Sequence, residues 1–231
     1  MPRMTIAYQV RRTGKRSKHI SVRVHQDGSV RVGAPNWASA REIARVVQLH
    51  AEWIAERVAE ARAVLPSYDD GALHFYLGQR HPLAFDKPGA GERDTLTFTG
   101  RRFVAAAADR STDRVRDLFR RWYRARAYEL IGASVARTLP DMPWVRGTPN
   151  WRLRRMRSQW GSCTADGDVT LNTQLAKAPL ELIDYVVLHE FAHLKHHDHG
   201  PGFERLMDRH MPDWRARRRE LNALGPAILV E

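Results

Sequence analysis

His189 and His193 stand four residues apart in the run HEFAH, with Glu190 directly after the first of them. On a helix this spacing puts both imidazoles on one face, one turn apart, so both can reach a single ion. Neighbours in sequence could not. Zinc suits such nitrogen ligands and draws the pKa of a bound water down toward 7, where a nearby carboxylate can help generate hydroxide. Glu190 is placed to be that carboxylate, close enough to contact the water without itself ligating. The expected chemistry is hydrolysis, with His189 and His193 as ligands and Glu190 as general base.

A third ligand must come from elsewhere, because three ligands on one straight helix cannot easily spread into the tetrahedral arrangement that zinc prefers. His199 follows His193 by six residues, the separation found in HExxHxxGxxH sites, where the chain leaves the helix and folds back on the metal. The usual glycine of that turn is replaced by His196, but Asp198 and Gly200 flank His199 and can supply the bend. His196, His197 and Glu204 are the rivals.

Several elements must position these groups. Leu180, Ile183, Val187, Phe191 and Leu194 mark the buried face of a helix that starts beside Pro179 and runs to about residue 196. The Gly200-Pro201-Gly202 break ends it, and short helices follow at about 202–210 and 213–223. Upstream, residues 167–173 (GDVTLNT) alternate like an edge strand, after an Arg- and Trp-rich segment at 151–163. A strand of that kind could take an extended substrate as an added neighbour.

The first third opens on a hairpin. Ile20, Val22 and Val24 alternate with polar residues, Asp27-Gly28 supplies the turn, and Val30 and Val32 resume, with a partner strand at 4–11. Ser39 and Glu42 form a capping box for one helix that continues through Val58 and ends at Pro66. Short β-like runs at 71–105 are expected to complete the N-terminal sheet. A second long helix, from Ser111 or Thr112 to about Thr138, puts Val115, Leu118, Phe119 and Trp122 on one face. The fold class is α+β, with a β-rich part at 1–110 carrying one long helix and a catalytic part at 111–231.

With 231 residues, 43% of them hydrophobic, the chain can bury a substantial core. Its one cysteine, Cys163, excludes an intramolecular disulfide and a four-cysteine zinc cluster, and fits a reducing compartment. The N-terminal segment lacks the apolar run of about 7–15 residues of a secretory signal, and no stretch reaches the roughly 20 apolar residues of a membrane span. A cytoplasmic location is the expectation. The formal charge of +12, with arginine dense at 101–126, 146–157 and 215–219, favours polyanions, although solvated helix faces explain most such runs. No zinc-finger spacing or aromatic RNP pattern points to dedicated nucleic-acid readout.

HEFAHLKHHDHGPGF at 189–203, MRSQWGSC at 156–163, DVTLN at 168–172 and LIDYVVLHE at 182–190 together resemble the YgjP-like family of zinc metallopeptidases, relatives of the zincins. The N-terminal hairpin and Gly33-Ala34-Pro35 resemble that family's opening, so the likeness spans nearly the whole chain. The HGPGF run also resembles the His-Gly-x-x-Phe element of SprT-like metalloproteases, whose histidine is a zinc ligand. The resemblance implies a zincin-type catalytic core in the C-terminal part, one Zn2+, and hydrolysis of peptide or protein substrates. Gln159 stands where that family usually has arginine, Asp198-His199-Gly200 replaces Asn-His-Ser, and Glu204 takes an aromatic position. None of these touches His189, His193, His199 or Glu190.

Other residues admit plainer roles. Cys163 is expected to be a small buried hydrophobe and not a nucleophile. Trp160 and Gly161 are expected to fix a turn against the catalytic helix, and Arg157 and Ser158 are candidates for the cleft wall. Two alternative functions stay open, a zinc hydrolase of a non-peptide substrate such as a nucleotide anhydride, and a nucleic-acid-associated protein with structural zinc.

Overall fold

The computed structural model describes residues 5–13, 18–25, 28–89, 91–147 and 150–230. The chain divides between Leu65 and Pro66 into two compact units, with Val230 grouped with the first. The expected boundary at 110/111 is therefore displaced, for a reason given by the packing of the second unit.

In the first unit, β2 (Ser21–Val24) pairs antiparallel with β3 (Val30–Pro35), and β1 (Gln9–Thr13) adds parallel on the other side of β3. The hairpin expected from alternation is present; Asp27 of its turn lies outside the described residues. Val30, Val32 and Ala34 are buried with Ile43 and Val47 of α1 (Ala40–Leu49) and Ile54 of α2 (Ala51–Val64). The capping box holds α1 at its start, Ser39 Oγ accepting from Glu42 N–H at 3.2 Å while the Glu42 carboxylate accepts from Ser39 N–H at 2.7 Å. The single helix expected over 39–65 is interrupted at His50, whose backbone leaves helical geometry with φ −105°. Nothing in the sequence around His50 explains the break.

The second unit contains a sheet in the order β4-β5-β7-β6, formed by Leu73–Tyr76, Gln79–Asp86, Phe103–Ala106 and Thr95–Phe98 respectively. These strands do not complete the N-terminal sheet. Their aromatic side chains pack on α3 (Thr112–Thr138), where Phe103 lies 5.0 Å from both Phe119 and Trp122, and Tyr76 lies 4.9 Å from Trp122. Aromatic contacts of this kind add to the area term and bind the sheet to the helix behind the site, which is why the division falls at 65/66. Val115, Phe119, Tyr123, Ala127, Ile131 and Val135 recur at helical spacing and are buried.

A second sheet of three short strands, β8 (Trp151–Arg154), β9 (Gly161–Cys163) and β10 (Val169–Asn172), has the order β8-β10-β9. The alternating segment 167–173 thus gives the central strand. Thr170 and Asn172, which read as a solvent face, are buried and hydrogen-bonded. Asn172 Nδ2 donates to the carbonyls of Met156 (2.8 Å) and Gln159 (2.7 Å), and its Oδ1 accepts from Met156 N–H (3.2 Å) and Gln174 N–H (3.0 Å). A side chain satisfied in this way fixes the 156–160 segment that leads into β9.

Helix α4 (Leu180–Ala192) is buried on nearly every side, not on one stripe, and Leu180 is exposed. It ends earlier than expected. His193 is the C-cap, and Leu194 N–H already bonds three residues back to Phe191. Helices α5 (Pro201–His210) and α6 (Trp214–Ile228) follow. No helix among the described residues is long and apolar enough to cross a membrane.

Candidate metal centre

Helix spacing, one turn and one short helix bring three imidazoles together. His189 is the tenth residue of α4, His193 caps it one turn later, and His199 returns from the segment before α5. Asp198 shapes that return, its Oδ1 accepting from Gly200 N–H at 3.2 Å. The potential ligand atoms of His189, His193 and His199 all lie within 4.8 Å of one another. Their ring centroids are separated by 5.0, 5.1 and 4.7 Å. Phe203, buried in α5, closes the cluster from behind with its ring 5.0, 4.8 and 4.8 Å from those of His189, His193 and His199.

The donor set fits a divalent transition ion. The Nε2 atoms of His189 and His199 are 3.2 Å apart, close to the roughly 3.3 Å expected between two nitrogens about 2.0–2.1 Å from a tetrahedral zinc. His193 Nδ1 contacts the His196 carbonyl at 2.9 Å, which as a donated bond leaves Nε2 with its lone pair. His189 Nδ1 is buried with no hydrogen-bond partner among the described residues, so no protein group fixes that ring's tautomer. Burial pushes the pKa of His189 down to about 3, and the neighbouring imidazoles and Arg218 act in the same direction. His199 is also lowered, first by desolvation. Neutral imidazole is the form that ligates.

The rivals fall away from this cluster. His196 contributes its carbonyl, while its ring lies against Gly202, and His197 is exposed. Glu204 points to Arg215 at 3.3 Å.

Glu190 is 6% exposed, and desolvation pushes its pKa up to about 8. It faces a cleft of about 350 Å³ shared with His189 and His199. Gly161 of β9 is the floor that admits it, since a Cβ there would stand 2.5 Å from Glu190 Cγ and 2.6 Å from its Cδ and Oε1. Gly161→Ala should therefore displace the carboxylate and lower turnover by about 10²-fold, as a misplacement near 1 Å does. Metal content should be unchanged, and metal analysis beside steady-state kinetics checks both.

The shifted groups also make a pH prediction for the metal-stripped protein. A carboxyl whose folded pKa is near 8 against an ordinary 4.5 holds a proton that the unfolded chain has lost, so stability falls as pH rises from about 4.5 to about 8. His189, near 3 when folded against 6.5, acts oppositely, its contribution being lost as pH falls from 6.5 toward 3. Between pH 6.5 and 8 only the Glu190 slope remains of these two. Thermal midpoints should decline over that window in the wild type and flatten in Glu190→Gln; an equal slope in both would contradict the assignment.

Ser158 and Trp160 line the cleft as well, whereas Arg157 does not. Tyr185, Arg218 and Asn222 also line the cleft, and no sequence expectation singles them out. Tyr185 precedes His189 by one helical turn, 5.7 Å ring to ring, and burial raises its phenol to about 12, so it stays a hydrogen-bond donor. Helix periodicity could have found it. Arg218 and Asn222, four apart on α6, come back to the cleft from a segment with no local signal. Cys163 is half-buried beside this site with its thiol pushed up by desolvation, first, and by Glu190, which suits a packing residue and not a nucleophile.

The sequence matches a family model described as YgjP-like, metallopeptidase domain, over residues 18–224. No curated protein matches it. Among solved structures it is similar to the metallopeptidase zymogen jannalysin of Methanocaldococcus jannaschii, at 16% identity and TM-score 0.34, covering 42% of this chain and 94% of that one. It is similar also to the zymogen abylysin of Pyrococcus abyssi, at 20% identity and the same TM-score and coverage.

Proposed function

Because the chain belongs to the YgjP-like metallopeptidase family, we propose that it is a zinc peptidase in which His189, His193 and His199 hold the ion and Glu190 is the general base. The observation that carries this reading is the convergence of three imidazoles beside a buried carboxylate on one open cleft. When bound, zinc supplies Lewis acidity to the attacking water and the scissile carbonyl. Glu190 takes a proton from that water as its oxygen bonds to the carbonyl carbon. It then returns the proton to the amine nitrogen as the C–N bond breaks. A cation held by the three imidazoles would favour the ionised form of Glu190, the form that accepts the first proton. Tyr185 and Arg218 are the donors we assign to the developing oxyanion.

For substrate binding we turn to β9 instead of residues 168–172. β10 is paired on both sides, whereas β9 is one of the two edges of this sheet, and it is the edge that runs beside α4. An extended peptide adding to β9 would pass Gly161 and Glu190.

Arg218 in the cleft wall is the one observation that favours a second reading, hydrolysis of a nucleotide anhydride, whose phosphates a guanidinium would attract. A structural zinc is disfavoured, since such sites are normally closed by four ligands and this one opens on a cleft with a carboxylate alongside. Digestion of a peptide library in parallel with nucleoside triphosphate hydrolysis tests the choice. Cleaved peptides with intact triphosphate support the peptidase; the reverse pattern selects the second reading.

A further inference from the structure

We propose that the open face of the N-terminal sheet binds the phosphate backbone of duplex nucleic acid. This inference goes beyond the peptidase reading and does not depend on it. The register of β1, β2 and β3 puts Arg31 opposite both Gln9 and Arg23, and Gly33 opposite both Arg11 and Ser21. Arg11, Arg23 and Arg31 therefore share the face turned away from the buried Val30, Val32 and Ala34. All three are exposed, and none has a hydrogen bond or ion pair to a described residue.

Arg23 and Arg31 form a directly opposed cross-strand pair of like charge, an arrangement that costs stability unless an anion lies between them. The middle of the face is kept low. A Cβ on Gly33 would meet Ser21 Oγ at 2.7 Å, and the trough there, about 400 Å³, is lined by Arg11, Arg23 and Arg31 together with Arg12 and His25. Thr13 Oγ1, at one end, is buried without a partner among the described residues.

The trough is open and spans three strands, which fits a polyanion more than a single small anion. Arginine forks match phosphate oxygens two at a time. Among the described residues no Phe, Tyr or Trp lines it to offer a platform on which unpaired bases could stack. Backbone contacts without base contacts give binding that is indifferent to sequence, prefers the denser charge of a duplex, and falls with salt. The formal charge of +12 adds long-range attraction.

The test is fluorescence anisotropy of a short labelled DNA duplex with the full chain, comparing wild type, Arg23→Gln/Arg31→Gln, and a charge-matched control, Arg209→Gln/Arg219→Gln. The first variant should bind at least about tenfold more weakly, with a log–log salt slope shallower by about 2, while the control stays within about twofold. Its thermal midpoint should equal or exceed that of the wild type, because a like-charge pair has gone; should it fail to fold, Arg11→Gln tests the same face and is expected to lose affinity with a slope shallower by about 1. Equal losses in the variant and the control would reduce the effect to diffuse charge and overturn the proposal. Tighter binding to a single strand of the same length, or to phosphatidylserine vesicles, would overturn it too.

Discussion

Replacing Glu190 with glutamine should leave zinc bound and the fold intact while turnover on a cleavable peptide falls by about 10²–10⁴-fold, the usual contribution of general acid–base catalysis. The amide has nearly the shape of the carboxyl, so the fit against Gly161 is kept, where a Cβ would already stand 2.6 Å from Oε1. What is removed is the capacity to take and return a proton. The imidazole cluster does not include Glu190, so metal content should stay at the wild-type value. Metal analysis and single-turnover kinetics on the same preparation check the pair of outcomes. Wild-type turnover in this variant would remove Glu190 from the mechanism.

Replacing His199 with alanine should release zinc on dialysis and lower activity by about 10³-fold or more, since several kcal/mol of charge stabilisation goes with the ion. Two imidazoles from one helix do not hold a tetrahedral ion firmly by themselves. The rivals give the contrast. In His196→Ala the backbone carbonyl that meets His193 Nδ1 at 2.9 Å remains, so the metal should stay. His197→Ala should behave as the wild type. Glu204 is turned to Arg215, and full zinc occupancy in the His199 variant would require it, or another group, to swing into the site.

Much of this site is local and therefore readable. The four-residue spacing of His189 and His193 fixes their common face, and Asp198 makes the turn that presents His199. What surrounds them is not local. The buried polar residues of β10 look like a solvent face in sequence, because only the fold supplies the partners that Asn172 meets in the 156–160 segment and that Thr170 finds in Arg152 Nε, at 3.1 Å. The end of α4 is set by non-local contacts in the same way. Gly200-Pro201-Gly202 is the stronger stop signal in the sequence, yet the helix loosens at His193, with Trp144 Nε1 taking the Phe191 carbonyl at 2.8 Å. The return of Arg218 and Asn222 to the cleft rests on how α6 packs against α4, which no nearby residue announces. The unit boundary moved because the aromatics of residues 71–105 match α3 and not the N-terminal hairpin, a fit between side chains distant in sequence.

The most direct measurement is digestion of a peptide library by the protein stripped of metal with chelator, confirmed folded, and then supplied with one equivalent of zinc. No cleavage is expected without the ion and recovery with it, with the restored activity absent from Glu190→Gln. Peptide cleavage by the folded, metal-free protein at the rate of the reconstituted one would overturn a zinc-dependent peptidase.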